Sequence, residues 1–313
     1  MKIAVTGGSG FIGTRLRKEL EAQGNSCINI DLKEANDILD LPKLTSLLKG
    51  CDCVYHLAAE HRDDVFPRTR YYDVNVQGMK NVLAAMDANN INHIIFTSSF
   101  AVYGLDAQTP DETAAPAPFN DYGQSKLEGE EVLKNWATNN SKANAVIVRP
   151  VVVFGEANRG NVYTLINQVA QNKFLMIGNG TNKKSIAYVG NVTAFLRHCL
   201  NDQSALEIYN YADGPDFTMK QLMTVIYEKL GKPKPAFALP FAAGLGAGYV
   251  FDGLARITGK NFPISAVRIR KFCADTTSSA AKARRSGFNP PFSLEEGIER
   301  MINHDFAHER KAA

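Results

Sequence analysis

The first fifteen residues constrain this chain more than any other stretch. Lys2-Ile3-Ala4-Val5-Thr6 is a short apolar run with β-branched residues, which reads as a buried strand. Gly7-Gly8-Ser9-Gly10-Phe11-Ile12-Gly13 follows at once, and Ile12, Leu16 and Leu20 then recur at the spacing of one helix face. In a strand–turn–helix context the three glycines gain a meaning beyond flexibility. Gly7 permits the tight turn, Gly10 lets backbone approach a pyrophosphate, and Gly13 lets the helix pack close to the strand. Free N–H groups at the helix start, around Phe11 and Ile12, face the anion. The stretch predicts a dinucleotide site with Gly7, Gly10, Phe11, Ile12 and Gly13 as contacts.

Composition limits the partners. A net charge of +3 over 313 residues gives no argument for nucleic acid, and 45% hydrophobic with 21% charged residues is an ordinary globular balance. The five cysteines are scattered, and Cys51 and Cys53 lack both the spacing of a disulfide framework and a second pair for zinc. Reduced thiols, no metal and a cytoplasmic location are the expectation. A strand beginning at residue 2 leaves no space for a signal peptide, and no apolar run reaches the roughly twenty residues that cross a bilayer. Residues 236–251 carry no charge, but Pro240 and the glycines there are expected to prevent a long helix.

Further along, 27–31 reads as a second strand ending in Asp31, about twenty residues past the glycine turn. A carboxylate there accepts hydrogen bonds from ribose hydroxyls and repels a 2′-phosphate, which favours NAD over NADP; a plain strand-end acid is the alternative. Helices at 42–48, 72–86 and 121–139 alternate with strands at 52–57, 93–98 and 145–149. Such β–α repeats predict an α/β fold with a Rossmann-type, doubly wound parallel sheet. After Gly155 the pattern loosens into helices at 162–172, 192–200 and 219–230, a strand-like 185–189 and a strand at 206–210. The expectation is an NAD-binding domain over 1–155 with returns to the sheet near 185–211. A smaller, mixed α/β C-terminal lobe over 156–313 would bind substrate.

Tyr122 and Lys126 stand one helical turn apart. A free phenol titrates near 10, and a neighbouring ammonium together with the cation of an oxidised nicotinamide is expected to lower it. The phenolate can then take a proton from a substrate hydroxyl while its carbon is oxidised, with Ser99, at a strand end, hydrogen-bonding the same oxygen. Ser99, Tyr122 and Lys126 are the candidate catalytic residues. Asn75, by residue type alone, is a surface or capping residue. The charged run after Ala59 is either a solvated loop or a substrate contact.

With these residues in view, the chain resembles the extended short-chain dehydrogenase/reductases of the sugar epimerase/dehydratase family. The likeness rests on the glycine turn, Asp31, Asp37-Ile38, His56-Leu57-Ala58-Ala59, Asn75-Val76-x-Gly78, Ser98-Ser99, Val102-Tyr103-Gly104, Tyr122-Gly-x-Ser-Lys126 and Arg149-Pro150. It implies that Asp37 and Ile38 meet adenine, that Leu57, Ala58 and Ala59 flank the cofactor and that Asn75 supports the active site. It also implies that Lys126 holds the nicotinamide ribose, that Pro150 lies near the carboxamide, and that the chain forms a homodimer through the helices at 75–86 and 121–139.

Two departures narrow the chemistry. Where sugar dehydratases of the family carry an Asp-Glu pair, this chain has Phe100-Ala101, so no acid is in place to expel water. Where many nucleotide-sugar members have Asn, it has Val152. The segments Ala59–Val65, Tyr71–Gln77, Arg159–Tyr163 and Lys184–Asn191 are similar to enzymes of O-antigen clusters that epimerise N-acetylglucosamine on undecaprenyl diphosphate. That resemblance implies C4 epimerisation of a diphosphate-linked N-acetylhexosamine through a 4-keto sugar, with peripheral contact at the inner face of the membrane. A UDP-sugar 4-epimerase or a keto-sugar reductase is the alternative. Candidate substrate contacts are His61, Arg62, Ser99, Arg159, Asn161 and Lys184. The 236–251 stretch is then either an interfacial patch flanked by Lys232, Lys234 and Lys260 or a core helix pair.

Overall fold

β1 (Lys2–Thr6) sends Ile3 and Val5 into one core and Ala4 into another, as expected of a strand covered on both faces. In the computed structural model, which describes residues 1–62, 65–104, 108–235, 237–258 and 265–307, β1 lies inside a six-stranded sheet. Asp63, Asp64, Ala236 and Lys260 fall outside the described residues. β1 is joined by β2 (Ser26–Ile30) on one side and by β3 (Cys53–His56), β4 (His93–Thr97), β5 (Asn144–Pro150) and the strand Leu206–Tyr211 in turn on the other. Every pairing is parallel.

The connecting helices are α1 (Phe11–Ala22), α2 (Leu41–Leu47), α3 (Thr69–Tyr72), α4 (Gly78–Ala88) and α5 (Asp121–Asn139). Leu16 and Leu20 of α1 share one core with Val192, Phe195 and Leu196 of the helix Val189–His198. Leu44, Met79, Val82, Met86 and Leu133 fill the other face from α2, α4 and α5. Between α3 and α4 the chain makes one π-turn, Asp73–Gln77, so the expected single helix at 72–86 is a composite running from Thr69 to Ala88.

Two compact units emerge. The first comprises Met1–Val153, Ala187–Asp213 and Ser278–Phe292. Its last segment lies inside the stretch assigned above to the second lobe. The second unit comprises Phe154–Ile186, Gly214–Thr277 and the chain from Ser293 on. In it, the helix Met219–Leu230 packs against Asn161–Ala170 and Leu294–Asp305, with Ile166, Ile226, Ile298 and Ile302 fully buried, and capping boxes at Thr218 and Ser293 fix two of the helix starts.

One expectation is overturned here. Phe241–Thr258 is a continuous helix of 18 residues. Pro240 stands just before its first turn, where a missing N–H costs nothing. Its buried glycines permit close contact: a Cβ on Gly244 would stand 2.6 Å from Ile177, and one on Gly248 2.7 Å from the Ala266 amide.

Candidate active site

The chain leaves β1 toward β2 on one side and later continues to β3 on the other, so a crevice opens at the carboxyl ends of β1 and β3. The glycine turn sits there. Gly7 has φ +68° and a Cβ on it would lie 2.7 Å from the Ala58 nitrogen, so a side chain is excluded on two counts. Gly13 is pressed against the Gly7 carbonyl in the same way. Gly10 caps α1 without covering its first amides by a side chain, and Phe11 and Ile12 follow half-buried. Bare amides, a closed turn and an open crevice fit a pyrophosphate.

Asp31 is tied to this turn. Its carboxylate accepts from the Ser9 amide (3.1 Å) and the Lys33 amide (3.0 Å), while Lys33 Nζ donates to the Ser9 carbonyl at 3.2 Å. Asp37 accepts from the Leu39 amide, and the Ile38 side chain is buried against Gly78. The amides of Leu57 and Ala58 donate to the carbonyl and hydroxyl of Thr6, which leaves Leu57, Ala58 and Ala59 half-buried at the end of β3. Pro150 is buried at the end of β5.

Ser99 follows β4 and caps a short 3₁₀ turn, Phe100–Tyr103, through its hydroxyl. α5 begins at Asp121 because Asn120 caps it, accepting from the Gly123 amide at 2.9 Å. That start puts Tyr122 and Lys126 on adjacent turns. Lys126 is buried at 2% exposure; its Nζ donates to the Thr97 carbonyl at 2.7 Å and lies 4.3 Å from the centre of the Phe96 ring. Burial lowers the ammonium to about 7, against the pull of Glu130. The Tyr122 phenol is raised by burial, which outweighs its hydrogen bond with Ser99. In the protein alone desolvation dominates the phenol, and the lysine's hydrogen bond goes to Thr97.

Asn75 is buried, not a surface cap, because the π-turn carries it inward. Its Oδ1 accepts from the Glu60 amide (2.9 Å), and its Nδ2 donates to the Glu60 carbonyl (3.0 Å) and to Ser125 Oγ (2.9 Å). Ser125 in turn donates to the Tyr122 carbonyl at 3.0 Å. One amide side chain thus clamps the loop after β3 to the first turn of α5.

Sequence reasoning did not single out Glu130. It is fully buried one turn beyond Lys126 and accepts from Ser98 Oγ (2.6 Å) and from Arg149 Nε (2.8 Å) and Nη2 (2.5 Å). Arg149 Nη1 donates to the Tyr103 hydroxyl at 2.6 Å, which donates to Asn210 at 2.9 Å. An acid spaced four residues from Lys126 within an otherwise buried helix face was the available signal. His56 is also fully buried; it stacks on Phe96, hydrogen-bonds Thr6 at 2.7 Å, and is pushed down to about 3 by burial and then by Lys126. Among the described residues its Nε2 has no partner.

The model of the NAD dependent epimerase/dehydratase family matches residues 3–212. The chain belongs to the NAD-dependent epimerase/dehydratase family. It is 46% identical to the N-acetyl-alpha-D-glucosaminyl-diphospho-ditrans,octacis-undecaprenol 4-epimerase of Escherichia coli O157:H7, over 99% of this chain and 96% of that one. UDP-glucuronic acid 4-epimerase from Bacillus cereus, solved with NAD, superposes with a TM-score of 0.76 at 23% identity, covering 97% of this chain and 98% of the other. Thermus thermophilus UDP-glucose 4-epimerase, also solved with NAD, gives 0.74 at 21% identity with full coverage of both chains, 100% each. At that identity the two structures speak for the fold.

His61 and Arg62 are exposed just past Glu60, which is nearly buried. Burial works to raise the Glu60 carboxyl, but the guanidiniums of Arg62 and Arg70, at 3.3 and 3.2 Å, hold it below its usual range. In the second unit, Asn161 opens its helix and the Arg159 guanidinium lies over the Tyr163 ring at 4.2 Å. Lys184 Nζ donates to the carbonyls of Lys271 (3.0 Å) and Ala274 (2.6 Å) and contacts Thr276 Oγ1 (3.2 Å). A diphosphate at Lys184 would have to displace one of these. Among the described residues no cluster of His, Cys, Asp and Glu can hold a metal ion.

Proposed function

We propose that this chain interconverts N-acetylglucosamine and N-acetylgalactosamine at C4 while the sugar is carried on undecaprenyl diphosphate. The reading rests above all on the 46% identity, end to end, with the Escherichia coli epimerase of that substrate. The first unit takes the dinucleotide at the Gly7–Gly13 turn and Asp31, with Asp37, Ile38, Leu57, Ala58, Ala59, Asn75 and Pro150 around it. The second unit takes the carrier.

When bound, NAD would supply the acceptor and later donor for the C4 hydride, the chemistry that a route through a 4-keto sugar reduced from its other face requires. The chain's own residues handle the proton. Tyr122 removes it from O4 and returns it, and Ser99 hydrogen-bonds the same oxygen through both half-reactions. Lys126, fixed by Thr97, contributes its positive charge and holds the nicotinamide ribose. Asn75 holds the first turn of α5 in place. With no acid at position 100 or 101, the keto intermediate keeps its water.

A substrate of this kind resides in a membrane, so the proposal includes a cytoplasmic enzyme in peripheral contact with the inner leaflet. No helix among the described residues is long and apolar enough to cross a membrane. The family resemblance supports a homodimer, which light scattering of the purified protein tests.

The deciding experiment offers polyprenyl-diphospho-GlcNAc in detergent and UDP-GlcNAc in parallel. Conversion of the lipid-linked sugar without accumulation of NADH is the expected result. Conversion of UDP-GlcNAc alone makes the chain a UDP-sugar epimerase. Stoichiometric NADH or NAD production makes it a reductase.

A further inference from the structure

The helix Phe241–Thr258 has its polarity inverted. A helix on a globular surface shows charged residues to water and an apolar stripe to the core. Here the inward residues are Gly244 and Gly248, seated against Ile177, Ala266 and Ile269. The opposite arc carries Ala242, Ala243, Gly246, Tyr249, Val250, Gly253, Leu254 and Ile257, with no charge on it. Val250 is 63% exposed and Ile257 83%. The next helix, Ala266–Cys273, adds Val267 at 57%, and Phe237 and Phe241 extend the patch at the other end. There the surface runs into a groove of about 850 Å³ lined by Ile177, Leu239, Pro240, Phe241 and Arg270.

The rim of this surface is basic. Arg256, Arg268, Arg270 and Lys271 are exposed around it. The acids of the same segment turn to backbone amides: Asp252 accepts from Ala266 N at 3.1 Å, and Asp275 from Lys183 N at 2.6 Å. An apolar arc whose border carries four basic residues, Arg256, Arg268, Arg270 and Lys271, against the two acids Asp252 and Asp275 matches a leaflet with anionic headgroups, where apolar side chains enter the acyl boundary and cations stay at the phosphates. It does not match a second copy of itself, since two such rims meeting face to face would repel.

We infer that Phe241–Thr258 and Ala266–Cys273 form a docking surface that lies on an anionic lipid leaflet. The inference rests on the lipid-linked substrate proposed above and names the surface that brings the enzyme to it. The helix pair lies in the interface rather than crossing it.

The test is sedimentation of the full-length protein with vesicles of phosphatidylcholine containing phosphatidylglycerol, beside vesicles of phosphatidylcholine alone. The expected result is binding to the anionic vesicles that weakens as salt is raised. Val250→Glu and Ile257→Glu should each reduce that binding by about tenfold or more. Both sites are exposed, so the variants should melt like the parent and turn over substrate dispersed in detergent, while losing activity on substrate embedded in vesicles. A parent protein that converts detergent-dispersed substrate yet ignores anionic vesicles overturns the docking surface and leaves the proposed activity intact. Vesicle binding through these residues with no turnover of any lipid-linked sugar does the reverse. A dimeric parent that Ile257→Glu renders monomeric assigns the face to a second copy and also overturns the inference.

Discussion

Arg149 grips Glu130 through two guanidinium nitrogens, and Glu130 stands one helical turn from Lys126. A fully buried carboxylate held by an arginine fork is a fixed negative charge one turn from Lys126. Burial drives the Lys126 ammonium down to about 7, and Glu130 opposes that fall. Neither residue of the fork touches substrate in the proposed reaction, yet Glu130 bears on Lys126 and Arg149 holds Glu130 in place.

Replacing Glu130 by Gln therefore has a pH signature. The Lys126 pKa should fall further, and if turnover needs the ammonium, the alkaline limb of the kcat/KM profile should move to lower pH. The variant also leaves Arg149 without its anion, at a cost of about 3–5 kcal/mol in urea unfolding. An alkaline limb that stays where it was, in a protein that still folds, would separate Glu130 from Lys126.

Tyr122→Phe should lower kcat by about 10²–10⁴-fold, the usual worth of a positioned acid–base group. Thermal unfolding and co-purified nucleotide should be close to those of the parent, since the ring stays in place. Near-normal turnover would remove Tyr122 from the proton path.

Gly7→Ala puts a methyl group 2.7 Å from the Ala58 nitrogen on a residue at φ +68°. The backbone conformation alone costs about 1–2 kcal/mol. The expected outcome is reduced thermal stability together with reduced nucleotide content after purification, measured by absorbance and chromatography of the released cofactor.

His56 makes stability depend on pH in a defined sense. Its folded pKa, about 3, lies below the ordinary 6.5, so between those values the unfolded chain binds the additional proton and stability falls as pH falls. From pH 6.5 to 5 the loss is about 2 kcal/mol. Asp213 works in the opposite direction: burial raises its carboxyl to about 6, so its protonation favours the folded state as pH falls. The comparison of parent with His56→Gln isolates the histidine. The variant should lose less stability on acidification, as read by urea midpoints at neutral and acidic pH.

The β–α frame was legible in the sequence because its apolar runs are short, regular and separated by turn chemistry. The boundaries of α5 could be read to the residue, since Asn120 caps one end. What escaped was set by tertiary contact. Nothing local marks Asn75 as buried; the π-turn that carries it inward is a single-residue change in helical register. The Glu130–Arg149 pair joins a helix to a strand 19 residues on. Glycines 244 and 248 read as helix breakers until Ile177 and Ala266 are seen against them. Ser278–Phe292 returns to the first unit with only the short helix Ala281–Arg285 to announce it.

The sixth strand has a consequence for how the protein is made. β5 ends at Pro150, but its outer neighbour, Leu206–Tyr211, is translated only after the first segment of the other unit. Until Tyr211 has left the ribosome, the nascent sheet presents a bare row of amides and carbonyls along β5, a template for misassembly. A gene truncated near residue 155 would make that interval permanent.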